Sequence, residues 1–290
     1  MGLSESELIL HPDGSIYHLH LLPGDISDTI ITVGDPERVS EVSQYFDYIE
    51  LKKGKREFIT HTGSLNGKRL TVMSTGIGTD NIDIVLNELD ALANVDFDTG
   101  ESRENRIRYK IIRLGTSGSI QADIPLDSLL LSEFAVGLDG LLHFYKSSKI
   151  LETPMGQSLL EHLQWTPPFV PPYVVKCDGE LLQKLGENRI RLGVTATNMG
   201  FYGPQGRQLR LPPRFDDLIP KLNSFSYNKR RITNLEMETA GLYGMARLMG
   251  HKALSLNCIL ANRITGEFSK NPKRAVNQMI RFALDRLVQV

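Results

Sequence analysis

The chain has 290 residues, with 33 Lys+Arg against 34 Asp+Glu and a formal charge of −1. That balance excludes a nucleic-acid backbone as the main partner, because neutralising phosphates takes a basic surplus gathered on one face. With 41% hydrophobic and 23% charged residues the composition is that of a folded chain, too apolar for a disordered one.

After a polar leader over residues 1–16, Thr29–Val33 predicts a β-branched strand that stops at Gly34-Asp35-Pro36. Residues 37–45 predict a helix, with Pro36 near its first turn, where a missing N–H costs nothing. Two strands, 56–62 and 69–74, are expected around Asn66-Gly67, the strongest short hairpin signal. Ser74-Thr75-Gly76-Ile77-Gly78 closes the second of them, and Ile82, Val85, Leu86, Leu89 and Leu92 then recur at helical spacing. Residues 107–114 predict a strand ending in a turn at Gly115-Thr116-Ser117-Gly118, and 129–136 a further strand. A helix over 179–185 and a strand over 190–197 follow, then a helix over 238–249, a strand over 253–260 and a terminal helix opening near Pro272.

Strands interleaved with helices define an α/β chain with a central mixed β-sheet flanked by helices. Two stretches break the rhythm: the polar segment 96–108, and 165–173, which carries four prolines. The second reads as an SH3-type ligand or, with Trp165, Phe169 and Tyr173 threaded through it, as a packed surface loop. Neither resembles a linker, so residues 1–290 are expected to form a single domain. Cys177 and Cys258 have no CxxC partner and no His at zinc spacing, which predicts free thiols. The acidic N-terminus lacks the basic start of a signal peptide, and no apolar run reaches the roughly 20 residues that cross a bilayer. The expectation is a cytoplasmic protein without a membrane partner.

Three glycine-rich strand ends, at Gly34, at Gly76-Ile77-Gly78 and at Gly115, can bring backbone amides against an anion or can simply be tight connections. None satisfies GxGxxG, and 63–68 fails the P-loop spacing, which disfavours dinucleotides and nucleoside triphosphates. Arg38, Arg56 and Arg113 stand beside these segments, and forked guanidinium donors with the Thr116 hydroxyl make a plausible inorganic-phosphate cradle. Taken singly, each arginine also reads as a solvated or salt-bridged surface residue. Glu236 and Glu238 share a side only in extended chain, so a site using both sits where a helix begins. There they can accept from vicinal sugar hydroxyls or merely answer the helix dipole. Phe201, Gln205 and Arg207 lie close together in one loop and can stack a base and read its carbonyl and imide edge, or be incidental turn residues. No HExxH pair or GxSxG elbow occurs.

Together the motifs carry a resemblance: GDPERV at 34–39, KREF at 55–58, STGIG at 74–78, RLGTSGSIQ at 113–121, LDG at 138–140, FYGPQGR at 201–207, EMETAGLY at 236–243 and Asn262-Arg263. In this order they resemble the purine nucleoside phosphorylase and uridine phosphorylase superfamily, the hexameric-type nucleoside phosphorylases, nearest to the uridine-cleaving branch. The resemblance implies phosphate held by Gly34, Arg38, Arg113 and Thr116, with Arg56 supplied by a neighbouring subunit. It implies His18, also from the neighbour, on the ribose 5′-hydroxyl, and Met237 and Glu238, with Glu236 adjacent, on the ribose. Uracil is expected against Phe201, Gln205 and Arg207, with Arg263 behind Arg207; Arg207, Gln205 and Arg263 are then the catalytic set. A monovalent cation, potassium, is implied at Glu57, Ile77 and Asn81 between paired subunits, although Asn81 stands where compact bacterial relatives place Ser. The implied reaction is reversible phosphorolysis of uridine to uracil and ribose 1-phosphate, with inorganic phosphate as co-substrate and no organic cofactor. A homodimer is the smallest complete unit under this reading, and a hexamer a larger one. Alternatives are a purine or methylthioadenosine-cleaving relative, disfavoured by Asn262 where such enzymes use Asp, and a nucleoside-binding protein without turnover.

Overall fold

The computed structural model describes residues 3–166, 169–186 and 190–289. Strand β1 (Thr29–Val33) leads into helix α1 (Pro36–Ser43), which Asp35 caps by accepting from the Glu37 N–H at 2.9 Å. β2 (Tyr48–Lys55), β3 (Phe58–Leu65) and β4 (Lys68–Ser74) form an antiparallel meander. Asn66 at φ 50° and Gly67 at φ 76° make the β3–β4 turn, both left-handed as a type I′ hairpin requires. The sequence reading missed β2, whose lysine-rich alternation buries none of its residues, and it began the next strand too early. Arg56 instead occupies the β2–β3 turn at φ 54°.

α2 (Thr79–Asn94) is followed by a small hairpin, β5 (Val95–Asp96) with β6 (Glu101–Ser102), then by β7 (Lys110–Ser119) and β8 (Leu129–Gly137). Next come α3 (Thr153–Leu163), β9 (Tyr173–Lys176), α4 (Gly179–Leu185) and β10 (Arg191–Thr197). The chain closes with α5 (Leu218–Ser224), β11 (Ser226–Tyr227), β12 (Arg230–Glu236), α6 (Thr239–Met249), β13 (Lys252–Asn262), β14 (Glu267–Phe268) and α7 (Pro272–Leu287). Gly115-Thr116-Ser117-Gly118, expected as a turn, instead continues β7 and pairs in parallel with β13. A glycine inside a strand marks a close approach by other atoms, and at Gly115 the intruder is a side chain of the same strand, described below.

The sheet is mixed. β1 pairs in parallel with β4 and β7, β7 with β13, and β10 with both β8 and β12, while β8 and β13 run antiparallel. One extra pairing closes the ring β12-β10-β8-β13-β7: β12 meets β7 antiparallel, Leu235 opposite Gly118 and Asn234 opposite Ser119. The carboxyl ends of β7 and β12 therefore overlap head to head, which sets Glu236 beside Ser117.

Helix α6 is buried along every residue from Thr239 to Ala246, the mark of a helix enclosed on all sides. Gly244 permits that enclosure, since a Cβ there would lie 2.3 Å from Leu142 Cδ1. The Tyr243 ring is fully buried, an environment worth about 1.5–3 kcal/mol for a large side chain. Its hydroxyl donates to Ser132 O at 2.7 Å and accepts from Ser255 N at 2.8 Å, tying α6 to β8 and β13. Trp165, Phe169 and Phe215 pack ring on ring, and the Trp165 Nε1–H donates to Val170 O at 3.0 Å, so part of the proline-rich stretch is a packed loop. Pro167 and Pro168 of that stretch lie outside the described residues, and Tyr173 belongs to β9. Among the described residues no helix is long and apolar enough to cross a membrane.

Candidate active site

A cleft of about 1120 Å³ opens at the carboxyl ends of β1, β4, β7, β12 and β13. It exceeds the roughly 300–1,000 Å³ of ordinary small-molecule pockets. Gly34, Arg38, Arg113 and Thr116 line it, as do Phe201, Gln205, Arg207, Glu236, Met237, Glu238 and Arg263, and so do Glu57, Ile77 and Asn81. Seven separate stretches of the sequence, from Gly34 to Arg263, thus share one cavity. His18 and Arg56 do not line it.

At one end stands Arg38, on the first turn of α1. Its Nε is buried without a hydrogen-bond partner, and burial, reinforced by nearby Arg113, lowers its pKa. An orphaned buried guanidinium N–H is costly unless an acceptor arrives. Arg113 differs from the free phosphate ligand anticipated from sequence. Nη2 binds both Glu236, at 3.1 Å, and Glu238, while Nη1 donates to Asn257 Oδ1 at 3.1 Å. Burial works against its charge, but the two glutamates outweigh that and raise its pKa.

The two glutamates divide their tasks. Glu236 Oε1 accepts from Thr197 Oγ1 at 2.6 Å, and Oε2 accepts from the Glu238 and Thr239 N–H groups at 2.9 Å each and from Thr239 Oγ1 at 2.8 Å. Its carboxylate is consumed by the start of α6, the dipole-answering role weighed from sequence. Glu238 accepts from Gly78 N at 2.8 Å and from Arg113, and burial raises its pKa despite the arginine.

The other end is cationic. Arg207 lies 3.8 Å over the Phe201 ring and donates to Phe201 O at 2.8 Å and Gln205 Oε1 at 2.5 Å. Arg263 donates to Gln205 O at 3.0 Å. Neither has a carboxylate partner among the described residues. Burial and then Arg263 draw the Arg207 pKa down to about 10, and burial lowers that of Arg263. Gln205 Nε2 reaches Glu236 O at 3.5 Å, so contacts run unbroken from Arg207 through Gln205 and Glu236 to Arg113.

Asn81 Nδ2 lies 3.2 Å from Glu57 Oε1 and 3.5 Å from Ile77 O, bringing the three residues expected at a cation into one cluster. No group of three or more His, Cys, Asp or Glu that could hold a metal occurs among the described residues. Asn262 is turned inward: Nδ2 donates to Gln121 O at 3.0 Å and Ile124 O at 3.2 Å, and Oδ1 accepts from Ile264 N and Thr265 N.

Sequence reasoning passed over Asn257 and Ser255, which hold Arg113, whereas Gly78 was among the glycine turns expected to bring an amide against an anion, and the anion it meets is the Glu238 carboxylate. A signal existed for the first two: polar residues alternating within an apolar strand, 253–260, share one buried side. Phe268, exposed at the rim, went unnoticed because β14 is only two residues long.

The cleft thus sets Arg38 at one end, the glutamates at the entry to α6 in the middle and Arg207 with Arg263 at the other, a shape and charge pattern able to take an anion and a polar substrate side by side. The chain belongs to the Phosphorylase superfamily, whose family model matches residues 28–289. It is 32% identical over 264 residues to a uridine phosphorylase of Thermococcus kodakarensis, covering 89% of this chain and 81% of that protein. It is also 25% identical to the DeoD-type purine nucleoside phosphorylase of Oceanobacillus iheyensis, covering 94% and 99%. Among solved structures, a Trypanosoma brucei nucleoside phosphorylase described as showing uridine phosphorylase activity superposes with a TM-score of 0.87 at 27% identity, over 98% of this chain and 100% of that one. The mixed α/β fold is that of the nucleoside phosphorylases.

Proposed function

We propose that the protein is a uridine phosphorylase. Phosphate attacks C1′ of uridine as the C1′–N1 bond breaks, giving ribose 1-phosphate and a uracil anion that takes a proton from solvent. Phosphate is already an anionic nucleophile, so no paired-carboxylate machinery is needed to generate one. The difficulty lies in the departing base, and the observation that carries this reading is the pair Arg207 and Arg263, half-buried and without a carboxylate partner among the described residues. Their charge is unfavourable where it stands and is relieved as negative charge grows on the base. Preorganised donors of this kind lower the barrier by roughly 3–4 kcal/mol each. Arg38, the β7 backbone near Thr116 and Arg56 of a neighbouring copy receive phosphate, while Glu238 and Met237 receive the ribose. Asn262 offers no acid for a purine, since its carboxamide is spent on backbone groups.

In this reading residues 1–290 act as a single domain, the enzyme is cytoplasmic, and a homodimer is the smallest complete unit. A potassium ion between subunits fits the Glu57 carboxylate and Ile77 carbonyl if the Asn81 amide turns Oδ1 toward it. A rise in thermal midpoint in potassium chloride over tetramethylammonium chloride is the expected sign, and equal midpoints would remove the ion from the account. The activity itself is tested by following uracil release from uridine with and without inorganic phosphate, with inosine in parallel. Phosphate-dependent release from uridine alone is the expected result. Release that ignores phosphate, or cleavage of inosine instead, would overturn the proposal.

A further inference from the structure

His18, anticipated on the ribose of a neighbouring copy, is gripped from behind by a residue that no motif singled out. Glu88, on α2, accepts from His18 Nδ1 at 2.5 Å, from His18 N at 3.0 Å and from Leu19 N at 2.8 Å. Its side chain is only 13% exposed, so it is no solvated helix-surface glutamate. A carboxylate in this state only accepts, so Nδ1 carries the hydrogen whether or not the ring is charged. Nε2 is the nitrogen left over, and it has no partner among the described residues. The next residue back is held too: Lys55 Nζ donates to Tyr17 O at 2.9 Å and lies 4.5 Å over the Tyr17 ring. Lys55 directly precedes Arg56, so the two residues expected to reach a neighbour's cleft stand on one braced unit.

We propose that Glu88 is a positioning residue, fixing the His18 ring and its hydrogen so that Nε2 meets the 5′-hydroxyl of a nucleoside in the neighbouring copy. This rests on the uridine phosphorylase reading and on His18 reaching that hydroxyl. Glu88 touches no substrate; it acts by holding the imidazole and the His18-Leu19 backbone together. A glutamine of the same shape has one acceptor where the carboxylate has two, so it sets an N–H either against Nδ1 and the His18 N–H or against the Leu19 N–H and no longer holds ring and backbone together.

The test compares kcat/KM for uridine and 5′-deoxyuridine in the wild type, His18→Ala, Glu88→Gln and Glu88→Asp. A hydrogen bond to a held imidazole predicts a wild-type preference for uridine of about tenfold. His18→Ala should abolish that preference. Glu88→Gln should cut it several-fold, through uridine alone, while Glu88→Asp, which keeps the carboxylate, retains more of it. Nitrogen-15 spectra of histidine-labelled enzyme should show His18 Nδ1 protonated in the wild type and in Glu88→Asp but no longer uniformly so in Glu88→Gln. If His18→Ala keeps the wild-type preference, His18 does not meet the hydroxyl, and the assignment of Glu88 falls with it. If His18→Ala loses the preference while Glu88→Gln retains it in full, His18 stands and Glu88 does not.

Discussion

The guanidinium of Arg113 folds back across Gly115, two residues further along its own strand, so closely that a Cβ built on Gly115 would lie 1.8 Å from Nη1. Backbone conformation does not demand glycine there; the side chain overhead does. Gly118, in the same strand, meets nothing nearer than ordinary contact at 3.8 Å.

Gly115→Ala should therefore displace Arg113 and with it Glu238. The added methyl costs about 1–3 kcal/mol of stability, and the displaced Arg113 should lower kcat/KM as well. Steady-state kinetics of Gly115→Ala against Gly118→Ala provide the check, and equal behaviour of the two variants would refute the crowding argument.

Arg207→Ala should depress kcat about 100- to 1,000-fold while KM for phosphate stays within about threefold, because the lost donor acts on the leaving base. Arg207→Lys should recover little, since it keeps a charge but not the planar group over Phe201. An unchanged kcat would reject the assigned role.

Burial raises the pKa of Glu238, so the acid limb of kcat/KM for uridine should have its midpoint above the ordinary carboxylate value. The carboxylate is the form that accepts sugar hydroxyls, so activity rises with pH through that limb. The stability contribution of the same group has the opposite sign: it is fully present below the unfolded pKa and is lost as pH rises through the raised folded one. Rates measured at a fixed concentration of phosphate dianion should show the limb in wild type and lose it in Glu238→Gln. A limb that persists in the variant belongs to another group.

Asn262→Asp places an acid where the resemblance to purine-cleaving enzymes implies one, yet it should not confer inosine cleavage. Its Nδ2 satisfies two carbonyls, Gln121 O and Ile124 O, which a carboxylate would face unpaired at a cost of about 1–3 kcal/mol. Denaturant unfolding should show that loss, and a stable variant that cleaves inosine would contradict it.

Glycine and proline punctuation and hydrophobic spacing located α1, α2, α4, α6, α7 and most strands, because those signals are local. β2 escaped, having no buried residue to create a period, and Gly115-Thr116-Ser117-Gly118 was read as a turn although the cause of Gly115 is the arginine above it. The residue types of the site were legible as three clusters, while their union was not. That union depends on β12 meeting β7, a pairing of residues more than 100 positions apart that leaves no pattern in either segment. The engagement of Arg113 by both Glu236 and Glu238 was hidden for the same reason.

The ring closed by β12 and β7 also governs when the chain becomes competent. The cleft draws on residues from Gly34 to Phe268, and the contact that brings its two halves together waits for β12. During synthesis on the ribosome the phosphate-facing strands emerge first and have no carboxylate shelf to work with. A nascent or truncated chain ending before Arg230 therefore lacks Glu236, Glu238 and Arg263 and remains inert, whatever secondary structure it has acquired. Catalysis here is a property of the finished ring, and chains cut short at that point should release no uracil.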